Sequence, residues 1–176
     1  FALPAASKDA ALLVQLATNG YTARVGAGTS SGVALVEVYD ADHGPAVARM
    51  VNLSARNQVS SDSGILIVGF TISGNSSKTV LIRAIGPTLS QFGVGGILAD
   101  PKLDLYRGSS LFLTNDDWSG TSALNGAFAQ VGAFALPPNS KDAAVLVTLP
   151  PGTYSAQVSG IDGTTGVALA EIYDVP

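Results

Sequence analysis

Short runs of alternating or continuous apolar residues, separated by Gly, Asn and Pro, fill most of the chain. Tyr21–Val25 (YTARV) and Tyr154–Val158 (YSAQV) alternate with period two, the mark of a strand with one buried face. Ala10–Leu16 and Ala143–Leu149 are continuous apolar runs suited to buried strands, and Val33–Tyr39 and Val167–Tyr173 form a third such pair. Asn19-Gly20 in the first set and Pro150-Pro151-Gly152 in the second predict hairpin turns between the first two strands. Between the sets, the pattern predicts strands at Val47–Leu53, Gly64–Ile72, Lys78–Ile85, Lys102–Tyr106 and Leu111–Thr114, with hairpin turns at Gly74-Asn75 and Arg107-Gly108. Ser119–Val131 is the one stretch that reads as a helix. Short strands with this punctuation predict an all-β chain, an antiparallel β-sandwich or jelly roll.

The paired segments belong to a longer internal repeat. Residues 1–40 and 134–174 align with a single one-residue insertion, and more than half of the positions are identical. The offset is about 133 residues (Phe1 with Phe134), far beyond the roughly 20–50 of a solenoid, so the repeating object is a whole domain. The order is a tail unit (1–42), a body (43–133) and a second tail unit (134–176), the last two making one β-sandwich domain. The chain is expected to start inside one repeat and run through the end of the next. A three-stranded tail of this length cannot bury both faces alone. The first tail must therefore pack on the body as an extra layer or find a body in another subunit.

Composition narrows the function. Hydrophobic residues make up 47% and charged residues 12%, about half the usual charged share. Such a chain folds, and it carries little charge to hold β-edges apart. The net charge is −4, and the nine Lys and Arg are scattered, which argues against a nucleic-acid partner. There is no cysteine, so disulfides, thiolate metal sites and cysteine nucleophiles are excluded. The longest apolar stretch, Ile65–Ile72, is far short of a membrane span. An opening at Phe1 without Met reads as a processed or excised piece.

Leu98 onward, with ADPKLDLYRGSSLFLTNDDW, KDAAVLVTLPPGTYSAQVSG and GVALAEIYD, resembles the bacterial pre-peptidase C-terminal type of β-sandwich. Nearly all of residues 46–174, with RMVNLSARNQVSSDSGILIVGFTISGNSSKTVLIRAIGPTL from Arg49 and then the tail, and residues 1–40 again, resemble a tandem module of large secreted proteins of environmental bacteria. The resemblance implies a secreted or cell-surface location and a modular architecture rather than an activity.

Several residues are candidates for chemistry. Asp100, Asp104, Asn115, Asp116 and Asp117 could converge as oxygen ligands for calcium, the one cofactor the chain suggests; Asx-turns bonding local backbone are the simpler account. His43, the sole imidazole, sits in the Asp42–Pro45 junction and reads as a linker residue. No nucleophile elbow or Ser-Lys dyad is present, and Glu37 and Glu171 are repeat equivalents rather than a paired-carboxylate site, so no enzyme is expected. Trp118, Tyr106, Tyr21 and Tyr154 could stack on sugar rings, but aromatics repeated at matched positions are more often core. Asn75 and Asn52 head formal glycosylation sequons, Asn75 in an exposed turn, and Thr29–Ser31 and Thr164-Thr165 offer hydroxyls for O-glycans.

These observations point to an extracellular structural protein with copies of itself as partners. Subunits or tandem domains would join head to tail by inter-subunit strand packing, giving a filament or surface array. The interface would be the apolar positions of the first tail: Phe1, Leu3, Leu12, Val14, Leu16, Val33, Leu35 and Val38. The alternative is a calcium-stabilised or carbohydrate-binding accessory module of a secreted enzyme or adhesin, with glycans as partners.

Overall fold

The computed structural model describes residues 3–26, 28, 31–41, 48–61 and 64–176, and it divides into two compact units, Phe1–Met50 and Val51–Pro176. The division falls after Met50 rather than after residue 42. Phe1, Thr29, Ser30, His43 and the junction around it lie outside the described residues.

The second unit is a β-sandwich. Its elements in chain order are β1 (Asn52–Val59), β2 (Leu66–Ile72), β3 (Lys78–Ile85), β4 (Pro101–Arg107), β5 (Ser110–Asn115), α1 (Ser122–Val131), β6 (Ala143–Leu149), β7 (Gly152–Gly160) and β8 (Gly166–Val175). One sheet runs β1-β8-β3-β6 and the other β2-β7-β4-β5, with antiparallel pairing throughout both. Most strand positions match the sequence pattern. The first does not: β1 begins at Asn52, five residues after Val47, and reaches Val59. It is an edge strand with one wet face, so Ser54, Arg56 and Gln58 point to solvent and the apolar signal is diluted.

Consecutive strands mostly change sheet. Arg107-Gly108 closes a true β4–β5 hairpin, with Gly108 at φ 58. Gly74-Asn75 and Pro150–Gly152, read as hairpin turns, instead carry the chain from one sheet to the other, because β2 and β3, like β6 and β7, lie in different sheets. The tail of the second unit does contribute three strands, but they form no sheet of their own. β6 pairs with β3, β7 with β2 and β4, and β8 with β1 and β3. No tail strand of the second unit pairs with another tail strand.

Two cores follow from this layering. Between the sheets lie Val68, Val80, Ile82, Leu103, Leu105, Tyr154, Val158 and Ile172, among others. The outer face of the β1-β8-β3-β6 sheet is covered by α1 and its flanking turns, which bury Leu81, Ile85, Trp118, Leu124, Phe128 and Leu136. β3 is therefore buried on both faces, which explains its continuous VLIRAI run. The helix starts three residues after Ser119, because Ser119 and Gly120 both take positive φ and the Thr121 hydroxyl caps the Leu124 N–H. Gly132, left-handed at φ 70, ends it.

The first unit repeats the tail sequence, yet none of its described residues lies in a strand. Leu12, Leu13, Val14, Leu16, Val33, Leu35, Val36 and Val38 are all exposed there. The topology of the second unit supplies the reason: every ladder partner of a tail strand belongs to a body.

Candidate functional site

The seam where body meets tail carries the densest polar chemistry of the second unit. Arg83 sits mid-strand on β3, on the face under α1, with none of its surface exposed. Its Nε donates to Glu171 Oε2 on β8 at 2.8 Å, its Nη2 donates to the same oxygen, and its Nη1 donates to the Phe134 carbonyl at 2.6 Å. The guanidinium lies 4.3 Å from the Phe134 ring centre, 4.9 Å from that of Phe128 and 5.8 Å from that of Tyr173. A weakly hydrated, planar cation suits such an aromatic box. Tyr173 donates its hydroxyl to Glu171 Oε1 at 2.9 Å, completing the carboxylate's partners. Burial, followed by the neighbouring Glu171 charge, pushes the Tyr173 phenol up to about 12, and Arg83 opposes the shift.

A second joint lies at the start of β6. Asp142 is fully buried, and its Oδ1 accepts from the Gly86 N–H at 2.8 Å and from the Thr88 N–H at 3.4 Å. Its Oδ2 accepts from the Thr88 hydroxyl. The Asp142 carbonyl accepts from the Trp118 N–H at 2.9 Å. One side chain of the tail thus satisfies the backbone of a Gly-Pro-Thr turn in the body. Beside it, Asn115 Oδ1 accepts from the Ala144 N–H. Further along the seam, the Leu98 N–H donates to the Val167 carbonyl at 2.9 Å, and the Val167 N–H donates to the Gly96 carbonyl at 2.7 Å. Gly166 allows that last approach, since a Cβ there would overlap the Ile97–Leu98 peptide.

Three of the five calcium candidates, Asp100, Asp116 and Asp117, act on the Lys141 ammonium. Asp100 pairs with Lys141, whose ammonium is held above its ordinary range chiefly by that hydrogen bond. Asp104 accepts from Thr114 Oγ1 at 2.6 Å and pairs with Lys102 at 2.8 Å. Asn115 donates to the Asp117 carbonyl, an Asx-type local bond. Among the described residues, no group of three or more His, Cys, Asp or Glu is placed to hold a metal ion. Trp118 and Tyr154 are core residues rather than sugar platforms: Trp118 Nε1 donates to the Pro137 carbonyl, and Tyr154 OH donates to the Pro150 carbonyl. Asn52 and Asn75 are both exposed, Asn75 in the β2–β3 turn. An open cleft of about 350 Å³ is lined by Asp117, Ser119, Pro138, Asn139, Ser140 and Lys141.

The first tail preserves the chemistry of the seam without its surroundings. Lys8 and Asp9 correspond to Lys141 and Asp142, and Glu37 and Tyr39 to Glu171 and Tyr173. Tyr21 OH donates to the Ala17 carbonyl at 2.9 Å, as Tyr154 does to Pro150 at 2.8 Å. Tyr39 OH donates to Glu37 Oε1 at 2.9 Å, as Tyr173 does to Glu171. Asp9 differs: it accepts from the Ser7 hydroxyl, whereas the equivalent Ser140 hydroxyl in the second unit is left without a partner. Sequence reasoning passed over Arg83, Thr88 and Asp142. The signal available was the retention of Asp and Glu in apolar surroundings in both copies.

No protein-family model matches this chain, and no curated protein matches it. Among solved structures it is similar to the pre-peptidase C-terminal domain of a collagenase from Bacillus anthracis, at 12% identity and a TM-score of 0.43, over 69% of this chain and 89% of that one. It is also similar to a cycloisomaltooligosaccharide glucanotransferase from Paenibacillus sp., at 14% identity and a TM-score of 0.34, over 70% of this chain and 17% of that one. The first is the domain type that the sequence motifs resemble. Likenesses of this degree say nothing about activity.

Proposed function

We propose that this chain is a non-catalytic structural module of a secreted bacterial protein, working in an extracellular array in which tail strands link one module to the next. The observation that carries this reading is the duplicated tail. In the second unit the tail supplies the interior strands β7 and β8 of both sheets, and in the first unit the same sequence presents its apolar side chains to solvent. Strand addition satisfies edge backbone groups and buries alternate side chains without a covalent bond. The linking residues are Leu3, Leu12, Val14, Leu16, Val33, Leu35 and Val38, all exposed.

The test is light scattering with negative-stain electron microscopy on the whole chain and on a variant lacking residues 1–50. Regular assemblies that disappear in the variant support the array. Assemblies of undiminished yield in the variant sink it. An accessory glycan-binding module is the second reading, favoured by the polar cleft at Ser119 and Asn139–Lys141. It predicts a monomer whose melting temperature rises with a sugar from a glycan panel.

A further inference from the structure

We infer that the first unit is the tail of a body of this same module type, and that Val36 tunes it to a body other than residues 51–133. This rests on the proposed array and names the partner of its link.

The first unit asks for a body's particular chemistry. Its tail segments need ladder partners, because in the second unit every partner of the matching strands is β1, β2, β3 or β4. Glu37 needs a cation at the position of Arg83, since Glu171 is held by two bonds from that guanidinium. Asp9 needs the N–H groups and hydroxyl of a turn like Gly86–Thr88, and accepts from Ser7 in their place. The body in residues 51–133 presents both, an arginine on β3 and a Gly-Pro-Thr turn.

The sequence of the first tail also excludes a perfect match to this chain's own body. Val36 stands where the second tail has Ala170. Ala170 is buried between Ala55 on β1 and Ala84 on β3, directly opposite both in register, so three alanines form one row facing the sandwich core. A valine in the middle of that row adds two methyl groups to a closed layer, and overpacking of this kind is destabilising. Val38 in place of Ile172 returns one methylene on the same face. The body that takes the first tail must therefore have more room beside position 36.

The experiment places a second copy of residues 43–133 ahead of Phe1, joined as Ala133 joins Phe134, and follows amide hydrogen exchange over 10–16, 21–25 and 33–39. At concentrations where the 176-residue chain is monomeric these amides are expected to exchange with little protection, while β7 and β8 are protected. In the extended chain they should become protected, more strongly with Val36→Ala. Glu37→Gln should then cut their protection on the order of 100-fold, as removal of one partner of a buried pair does. Unprotected amides in both the extended chain and its Val36→Ala form, with β7 and β8 still protected, would overturn the inference. Equal protection with and without the Val36→Ala change would overturn the role of Val36. A 176-residue chain that stays monomeric would count against the array and leave this comparison intact.

Discussion

Arg83 and Glu171 stand directly opposite one another in the β3–β8 register, so a single buried ion pair crosses the seam between body and tail. The two residues are far apart in sequence, and each tail strand depends on such distant neighbours. A joint of this kind gives register as well as attraction: a slip by one residue would place Arg83 beside an apolar side chain and turn the tail's apolar face outward.

Removing one partner of that pair should cost more than removing both. Arg83→Met or Glu171→Leu alone is expected to lower stability by about 3–5 kcal/mol, because a buried charge is left behind. The double variant should recover part of the loss. Urea denaturation of the three proteins measures this, and additive losses would mean the pair is not coupled.

Asp142→Ala should destabilise the second unit by at least about 2 kcal/mol, since the buried Gly86 N–H and Thr88 hydroxyl lose their acceptor. The matched change Asp9→Ala, in the exposed first tail, should leave the main thermal transition where it is. A calorimetric scan of the two variants compares them directly.

Leucines at equivalent positions should likewise separate the copies. Leu149 is fully buried and Leu16 exposed. Leu149→Ala is expected to cost about 2–5 kcal/mol, and Leu16→Ala well under about 1 kcal/mol. Equal losses would mean that the first tail is packed as tightly as the second.

Alkaline stability should depend on Tyr173. Its phenol titrates at about 12 in the folded protein against 10.0 ordinarily, so the folded state holds the proton more tightly. The stabilisation is complete below about pH 10 and is lost as pH rises toward about 12. In Tyr173→Phe, stability should fall less steeply across that window, as urea midpoints at a series of pH values would show.

Calcium should change little. With Asp100 paired to Lys141 and Asp104 to Lys102, neither carboxylate is waiting for a cation. Melting temperatures with added calcium and with chelator should coincide, and a calcium-dependent rise of several degrees would restore the ligand set of Asp100, Asp104 and Asn115–Asp117.

Much of the fold was legible because local pattern carries it. Period-two alternation marked β7, the continuous apolar run of Ala143–Leu149 marked β6, and Lys78–Ile85 was read as the strand that is β3. β1 was displaced because its edge position leaves it polar. The calcium candidates cluster in sequence, but Asp100 pairs with Lys141 and Asn115 accepts from the Ala144 N–H, distant partners that residue order does not reveal. Arg83 was overlooked because a lone arginine in an apolar run looks the same whether it is buried with Glu171 or turned to water.

Residue pattern alone established a strand-built chain, the whole-domain repeat and the residue-by-residue match of one tail to the other, since these depend on neighbours along the chain. Sheet membership was decided in three dimensions. Alternation tells which face of a strand is buried, but not which strand lies beside it, and here successive strands mostly change sheet. The same tail sequence is therefore a set of sheet strands in the second unit and an exposed apolar segment in the first, because backbone hydrogen bonds and apolar contacts need a partner body that no local pattern can supply.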